Sequence, residues 1–251
     1  MWFVILVSMV CVQWSQAALP LPSYIKPCAR NDPQLYECSA KHANDAISHL
    51  LKGDPKYKMP ALDPFKIDEL KLVQGEGPRN SIALLLKNMS SYVNKVILLE
   101  KSEYDFKKKH IFHQVIIPRV DNVGKYEIQG RLLLLPIFGQ GDFNITLDNC
   151  RITYDADFIY ETIDGKEYFS ERNQATTITP TNVNIEFTNL FNGDKLLGKQ
   201  MNEFLNKNWR EWYKELSPTI FSAYSQIIST VFKGLYETVP VSEMFPKTVH
   251  S

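Results

Sequence analysis

One helical pattern of unusual length dominates the C-terminal part of this 251-residue sequence. Apolar side chains recur at steps of three and four from Lys195 to about Glu237, which predicts a helix buried along one face for its whole length. At 1.5 Å per residue this helix would span about 60 Å. Asp194 is the expected N-cap, and Pro218 is expected to kink the helix.

The middle of the chain, from Phe65 to about Phe191, instead alternates apolar and polar side chains. This alternation is typical of half-buried β-strands. Turn-forming sequences, such as Asp121-Asn122-Val123-Gly124 and Gly139-Gln140-Gly141, separate the runs, so we expect seven or eight antiparallel strands without helical crossovers. The alternation slips by one residue near Asn149, which predicts a β-bulge and a sharply curved sheet.

A helix and a sheet of these sizes have few ways to bury both apolar faces. A helix of about 60 Å would overhang an ordinary flat sheet. The sequence therefore predicts an α+β fold in which a highly curved antiparallel sheet wraps the long C-terminal helix. Bulky side chains on the helix, such as Trp209 and Trp212, pack irregularly against a sheet, so we expect a residual void that serves as an apolar ligand cavity.

The strand alternation also indicates which side chains face the helix. For each of them the alternative is ordinary core packing without any ligand contact. Tyr126 and Tyr154 are the best candidates for a polar contact with a ligand, because an inward hydroxyl needs a hydrogen-bond partner. The complete set of predicted cavity residues is Tyr126, Ile128, Leu132, Leu134, Phe143, Ile145, Ile152, Tyr154, Phe158, Val183, Ile185, Phe187, Trp209 and Trp212.

The first 17 residues are typical of a secretory signal peptide. Residues 1–12 are apolar and uncharged, and the small residues Ser15 and Ala17 fit a cleavage site after Ala17. The apolar run is too short to span a bilayer, and no later segment resembles a membrane span. We therefore expect residues 18–251 to be secreted as a single domain without stable membrane insertion, with Asn88 and Asn144 as candidate glycosylation sites.

A second, shorter helix is predicted near the mature N-terminus, from Asp32 or Pro33 to Leu51, with Asp32 as its N-cap. In an oxidising compartment Cys28 and Cys38 are expected to form a disulfide that closes a short loop. Cys150 then lacks a partner. It is a reactive thiol, an intermolecular bridge or a buried small hydrophobe, and we favour the last interpretation.

The sequence offers little for catalysis, metal binding or nucleic-acid binding. With 28 basic and 28 acidic side chains, the chain has no net charge to attract nucleic acid. Nucleophile-elbow, zinc-protease and phosphate-loop motifs are absent from the sequence. His110 and His113 are three residues apart and would face opposite sides of a strand, which favours a solvated strand edge over a metal site. We expect no enzyme activity, cofactor or metal.

Three segments together resemble the takeout and juvenile hormone-binding protein family of secreted insect lipid carriers. They are LPSYIKPCARNDPQLYEC with MPALDPFKIDEL near the N-terminus, YEIQGRLLLLPIFGQGDFNITLDN in the middle, and LFNGDKLLGKQMNEFLNKNWREWYKELSPTI towards the C-terminus. The resemblance covers essentially the whole mature chain. It implies a long helix wrapped by a curved sheet, a hydrophobic tunnel, an N-terminal disulfide matching Cys28–Cys38, and an N-terminal helix at 33–51 that gates the pocket.

The sequence therefore predicts an extracellular carrier, in haemolymph or another fluid, for a small hydrophobic ligand such as a juvenile hormone-like terpenoid, a fatty acid or another isoprenoid lipid. Hormone carriers of this family typically have a second disulfide, which this sequence lacks. In this respect the sequence is more similar to the takeout branch of the family. One alternative is an extracellular protein-interaction or signalling factor with a filled core. A secreted lipid hydrolase would need a nucleophile and base that we cannot locate.

Overall fold

A computed structural model describes residues 18–75, 81–93, 96–132 and 135–248. The predicted signal peptide, residues 1–17, and the predicted cavity residue Leu134 lie outside the described residues. In chain order the elements are α1 (Leu35–Leu50), a 3₁₀ turn (Pro55–Tyr57), β1 (Phe65–Gln74), β2 (Ile82–Val93), β3 (Leu98–Asp105), β4 (His110–Leu132), β5 (Leu135–Ile163), β6 (Lys166–Thr179), β7 (Asn182–Phe187), a second 3₁₀ turn (Phe191–Gly193), α2 (Lys195–Lys207), α3 (Trp209–Tyr236) and α4 (Val241–Met244).

Seven strands within the described ranges form one antiparallel sheet. The main order is β1-β2-β4-β5-β6, with β3 paired to β4 and β7 paired to β5. The two central strands are very long, at 23 residues for β4 and 29 for β5. At about 3.3 Å per residue each runs most of the length of the molecule. They connect the two ends of its interior.

The turns predicted at Asp121–Gly124 and Gly139–Gly141 are wrong, because both segments lie inside these long strands. Gly124 pairs with Phe143, and Gly139 pairs with Ile128 across the same ladder. These glycines allow neighbouring parts of the backbone to pack closely, and they do not reverse the direction of the chain. At Gly139, where φ is +154°, a side chain would lie 2.9 Å from the Cα of Leu190.

The predicted slip in alternation is present, but it is shared by both central strands. Ile117 pairs with Cys150 and Arg119 with Asp148, so the register of β4 and β5 is unchanged across it. The buried side chains change phase together in the two strands, and Asn149 adopts a φ of 45°. The predicted bulge is therefore wrong for this strand pair. Both strands change phase at the same level, so the residues on either side of it keep the same pairing.

The sheet curls around α3. This helix contacts both β1 and β6, which lie at opposite ends of the main strand order. A flat sheet could not bring both of these strands to one helix. The predicted fold class is confirmed: a curved antiparallel sheet, not closed into a barrel, wraps a long C-terminal helix, and a short helix precedes it.

The predicted C-terminal helix is divided into two. Asp194 caps α2 as expected, accepting hydrogen bonds from the backbone of Leu196 and Leu197 at 3.0 Å. The break lies at Asn208, whose side-chain amide donates to the carbonyl of Phe204 at 2.8 Å and so competes with the helical pattern. Pro218 lies inside α3. None of the described helices combines the length and apolar character needed to cross a bilayer.

The N-terminal segment is fixed to the rest of the fold by the disulfide. Cys28 and Cys38 are bonded, as predicted, and α1 packs against β3. Asp32 is not the N-cap of α1: its carboxylate accepts from the backbone of Gln34, one residue before the helix begins. Cys150 is a free, fully buried thiol, and burial raises its pKa to about 12.

Candidate functional site

The larger apolar core surrounds a cavity between α3 and the curved sheet, which we call the Trp212 cavity. About 80 Å³ of it is open to the centres of water-sized spheres. This volume would hold several water molecules or a short stretch of hydrocarbon chain. Strands β1, β2, β4, β5, β6 and β7 contribute to its wall, together with Leu205 from α2 and five residues of α3. The helical part of the wall comprises Leu205, Trp212, Tyr213, Leu216, Ile220 and Tyr224.

The polar side chains on the wall of the Trp212 cavity already have partners within the protein. The indole of Trp212 donates to the carbonyl of Leu205, and the hydroxyl of Tyr213 donates to that of Ile178, both at 2.8 Å. Asn122 accepts from Ser91 at 2.6 Å. The same Asn122 oxygen accepts from the hydroxyl of Tyr224, and its amide donates to the carbonyl of Ile145. The wall therefore offers an incoming ligand an apolar surface.

Half of the predicted cavity residues lie on this wall. They are Ile128, Leu132, Ile145, Val183, Ile185, Phe187 and Trp212. Each of the sheet residues points inward on an alternating strand.

The other described candidates lie elsewhere. Phe143 and Trp209 are buried in the surrounding core, and Ile152 is partly buried against it. Tyr126 packs on Phe187, and its hydroxyl donates to the carbonyl of Thr188 at 2.6 Å, so this group is not left for a ligand. Tyr154 and Phe158 lie further along β5, and Phe158 belongs to the second core.

The sequence reasoning missed the part of the wall built by β1 and β2. Its residues are Leu70, Leu72, Ile82, Leu84, Leu86 and Met89. Their alternation was visible as strands, but the inward face of an edge hairpin depends on how the hairpin pairs with the rest of the sheet. The register of β2 on β4 sets that face, with Leu84 opposite Ile128.

A second cavity, the Tyr104 cavity, lies at the opposite end of α3 under α1. About 120 Å³ of it is open to the centres of water-sized spheres. Helix α1 contributes five lining residues, and Ser102, Tyr104, Phe232 and Tyr236 line it from the sheet and α3. This cavity is more polar: the hydroxyls of Tyr104 and Tyr236 are 2.9 Å apart, and Ser39 donates to the carbonyl of Ser102 at 2.5 Å.

The two cavities, as lined by the described residues, are separate and have no lining residue in common. The interior space is thus described as two cavities, and the continuous tunnel implied by the family resemblance stays a prediction. An aromatic layer lies between the two levels, in which Phe232 stacks on His113 at 4.8 Å and on Tyr154 at 5.0 Å between ring centroids. Joining the cavities would require these rings to move.

His113 differs from its prediction as a solvated strand edge. It is only 2% exposed, and neither ring nitrogen has a hydrogen-bond partner within the protein. Burial lowers its pKa to about 3, so the imidazole is neutral. His110 does lie at the surface, where Asp155 and Asp157 contact its ring nitrogens.

Glu171 is an acidic group in contact with the aromatic layer. It accepts from the hydroxyl of Tyr154 at 2.9 Å and from Ser229 at 3.5 Å. Burial raises its pKa to about 7, although these hydrogen bonds and the charge of Lys233 act in the opposite direction.

The described residues bring His42 close to Cys28 and Cys38. Such a group of donors resembles a metal site by distance. Both thiols are consumed by the disulfide, however, and a disulfide does not supply the thiolates that zinc binds. His42 Nδ1 lies 3.3 Å from the Cys28 sulfur and 3.1 Å from the carbonyl oxygen of Lys26.

Comparisons with known proteins agree with this architecture. The sequence profile described as haemolymph juvenile hormone binding protein (JHBP) matches residues 4–246. The circadian clock-controlled protein daywake of Drosophila yakuba is 24% identical over 94% of this chain and 96% of its own length. The Drosophila melanogaster protein of the same name is 25% identical over 90% of this chain and 88% of its own length. The crystal structure of Takeout 1 from Epiphyas postvittana superposes with a TM-score of 0.79, at 24% identity, covering 88% of this chain and all of that one.

Proposed function

The chain belongs to the haemolymph juvenile hormone binding protein family, and from that premise we propose that it is a secreted carrier of a small hydrophobic ligand. The ligand class that we propose is a terpenoid, a fatty chain or another isoprenoid lipid, held between α3 and the sheet. The proposed activity is binding and transport, without chemical change to the ligand.

The observation that carries this proposal is the wall of the Trp212 cavity. Its surface is formed by aliphatic and aromatic side chains, and its polar groups at Asn122, Trp212, Tyr213 and Tyr224 are engaged with other protein groups. Such a wall gains nothing from a polar solute and favours hydrocarbon.

Burial of hydrocarbon is sufficient to drive binding. A ligand that buries about 400 Å² of apolar surface gains on the order of 10 kcal/mol before costs, at about 25 cal/mol per Å². Loss of motional freedom removes several kcal/mol of this. Micromolar to nanomolar dissociation constants remain accessible without any charged contact.

The carrier proposal can be tested by filling the Trp212 cavity with a larger side chain and measuring ligand binding. Leu84, on β2, is buried on the cavity wall, whereas its neighbour Ala83 points outward and is exposed. Delipidated protein is titrated with an apolar fluorophore such as N-phenyl-1-naphthylamine. We expect Leu84→Trp to weaken binding at least tenfold, because the indole occupies the cavity, and Ala83→Trp to leave it unchanged.

Two results would overturn the carrier proposal. One is a delipidated wild-type protein that binds neither the fluorophore nor any lipid in native mass spectrometry, which would favour the protein-interaction alternative. The other is an equal loss of binding in Leu84→Trp and Ala83→Trp, with both variants folded by circular dichroism, since this would separate binding from the cavity.

We further propose that α1 gates the Tyr104 cavity. Residues Ser39, His42, Ala43 and Ala46 of α1 form one side of that cavity, and the Cys28–Cys38 disulfide ties the beginning of α1 to the preceding segment. Opening of α1 would therefore be a rotation about a fixed end, without release of the helix.

Secretion belongs to the same proposal. The mature protein recovered from culture medium should begin at Ala18, and N-terminal sequencing would reveal any other start. Asn88 and Asn144 are exposed on the sheet and stay our proposed glycan positions.

A further inference from the structure

A row of polar side chains crosses the inner face of the sheet. Cross-strand pairing places Ser102 opposite His113, His113 opposite Tyr154, and Tyr154 opposite Thr176. All four are at most 5% exposed. On α3, Ser225 is 9% exposed and Ser229 contacts Glu171. We call this set the polar belt: Ser102, His113, Tyr154, Thr176, Ser225 and Ser229.

The polar belt contains every buried side-chain polar atom that lacks a hydrogen-bond partner within the described residues. These atoms are the two ring nitrogens of His113, the hydroxyl of Thr176 and the hydroxyl of Ser225. A buried polar group without a partner destabilises the folded state. Native folds rarely contain such groups without a reason, and here they are concentrated at one level of the molecule.

Thr176 and Ser225 occupy a particular position in the belt. Both line a cleft between β6 and α3 that opens to solvent. Neither residue lines the Trp212 cavity, but both are close in sequence to its wall: Ile178, with the same inward phase of β6, follows Thr176 by two residues, and Tyr224 precedes Ser225 on α3. The two residues line the cleft while their hydroxyl oxygens are buried, and we infer that these hydroxyls face the border between the cleft and the apolar interior.

We propose that Thr176 and Ser225 bind the oxygen of an uncharged amphiphile whose hydrocarbon chain lies in the Trp212 cavity. The hydroxyls of both residues can donate and accept, so an alcohol or a carbonyl oxygen satisfies them. This inference rests on the proposed carrier function and narrows its ligand class. An ionised carboxylate is disfavoured, because burial of an anion is costly and Glu171, which accepts from Tyr154 and from Ser229 on the cleft wall, already places one acidic group there.

The test compares ligands that share a chain and differ only in the polar group. Decane, decan-1-ol and decanoate displace the fluorophore from delipidated protein. In a wholly apolar site an unpaired hydroxyl costs at least about 2 kcal/mol, so decan-1-ol would bind about thirtyfold more weakly than decane. We expect decan-1-ol to bind at least as tightly as decane, and decanoate at pH 8 to bind at least tenfold more weakly than decan-1-ol.

Substitutions locate the effect. Thr176→Val and Ser225→Ala should each weaken decan-1-ol about three- to tenfold and leave decane unchanged. Without ligand, both variants should melt at the wild-type temperature or above it, because an unpaired buried hydroxyl has been removed. Thr176→Ser should preserve alcohol binding, and Thr177→Val, at the exposed neighbouring position, is the matched control.

These experiments distinguish failure of the proposed Thr176–Ser225 site from failure of the proposed carrier function. If decan-1-ol binds about thirtyfold more weakly than decane, or if Thr176→Val weakens both ligands equally, the Thr176–Ser225 site is wrong while the carrier function stands. Tighter binding of decanoate than of decan-1-ol would overturn the uncharged class. If no ligand of the series binds to wild-type protein, the carrier proposal itself fails.

Discussion

The two ends of the interior are built by different means. The Trp212 cavity is walled mainly by regular strands, and its polar groups are satisfied. The Tyr104 cavity is assembled from the N-terminal segment, α1, the end of α3 and α4, and polar atoms face it. One sheet can therefore support a largely apolar cavity at one end and a more polar, aromatic cavity at the other, because its long strands extend past both.

The largest expected effect comes from truncating a large aromatic side chain, either on the wall of the Trp212 cavity or in the aromatic layer. Trp212→Ala should lower the free energy of unfolding by about 3–5 kcal/mol, since it removes a buried aromatic ring and its hydrogen bond. Phe232→Ala, in the aromatic layer, removes ring contacts with His113, Tyr154 and Tyr236. It should also open a path between the cavities.

Urea denaturation measures the loss of stability, and fluorophore titration measures the cavities. We expect only Phe232→Ala to allow longer chains to bind, because only that change removes material between the two ends. If Trp212→Ala and Phe232→Ala extend the accepted chain length equally, the aromatic layer is not the barrier that separates them.

A smaller effect on the free energy of unfolding is expected from the titration of Glu171, which lies beside the aromatic layer between the two cavities. The pKa of Glu171 is raised from 4.5 to about 7 by burial. Because the folded protein holds the proton more tightly than the unfolded chain does, this contribution to stability is complete below about pH 4.5 and is lost as pH rises through 7. The loss is on the order of 3 kcal/mol.

Glu171→Gln should abolish this part of the pH dependence, because glutamine does not titrate. Thermal melting between pH 4.5 and 8.5 measures it in both proteins, and Glu161→Gln, at an exposed carboxylate on the same sheet, is the matched control. Parallel stability curves for wild type and Glu171→Gln would contradict the raised pKa.

The smallest effect is expected from single hydroxyls. Tyr126→Phe removes the hydrogen bond to Thr188 and should cost about 1 kcal/mol, with no change in ligand affinity. Tyr104→Phe leaves the buried hydroxyl of Tyr236 without its partner and should cost somewhat more, about 1–3 kcal/mol. Chemical denaturation ranks the two variants. A loss of ligand affinity in Tyr126→Phe would restore Tyr126 as a ligand contact.

The Trp212 end was the more predictable from sequence. Strand alternation placed Ile128, Val183 and Ile185 on an inward face, and they line the cavity. The same alternation placed Tyr126 and Phe143 inward as well, and these pack in the core around it. Periodicity reports which face a side chain occupies, but not whether empty space or another side chain meets it there.

The Tyr104 end was harder to predict because it is assembled from several separate segments, and no single periodic pattern in the sequence connects them. His113 looked like a strand-edge residue, and its burial depends on β3, α3 and the ring of Phe232 packing around it. Alternation within β4 gives it an inward phase, which was the one available signal. The pairing of Cys28 with Cys38 was accessible from sequence, since only one short loop brought two thiols together near the N-terminus.

The sequence by itself determined which regions are helical and which form the antiparallel sheet, the capping of α2 by Asp194 and the disulfide, because each depends on neighbours within a few residues or on one periodicity. Only the tertiary structure decided that the interior holds two cavities and that Thr176 and Ser225, whose hydroxyls are unpaired, line the same cleft. Such features depend on how distant side chains fill a shared volume, and packing of that kind leaves no local pattern in a chain.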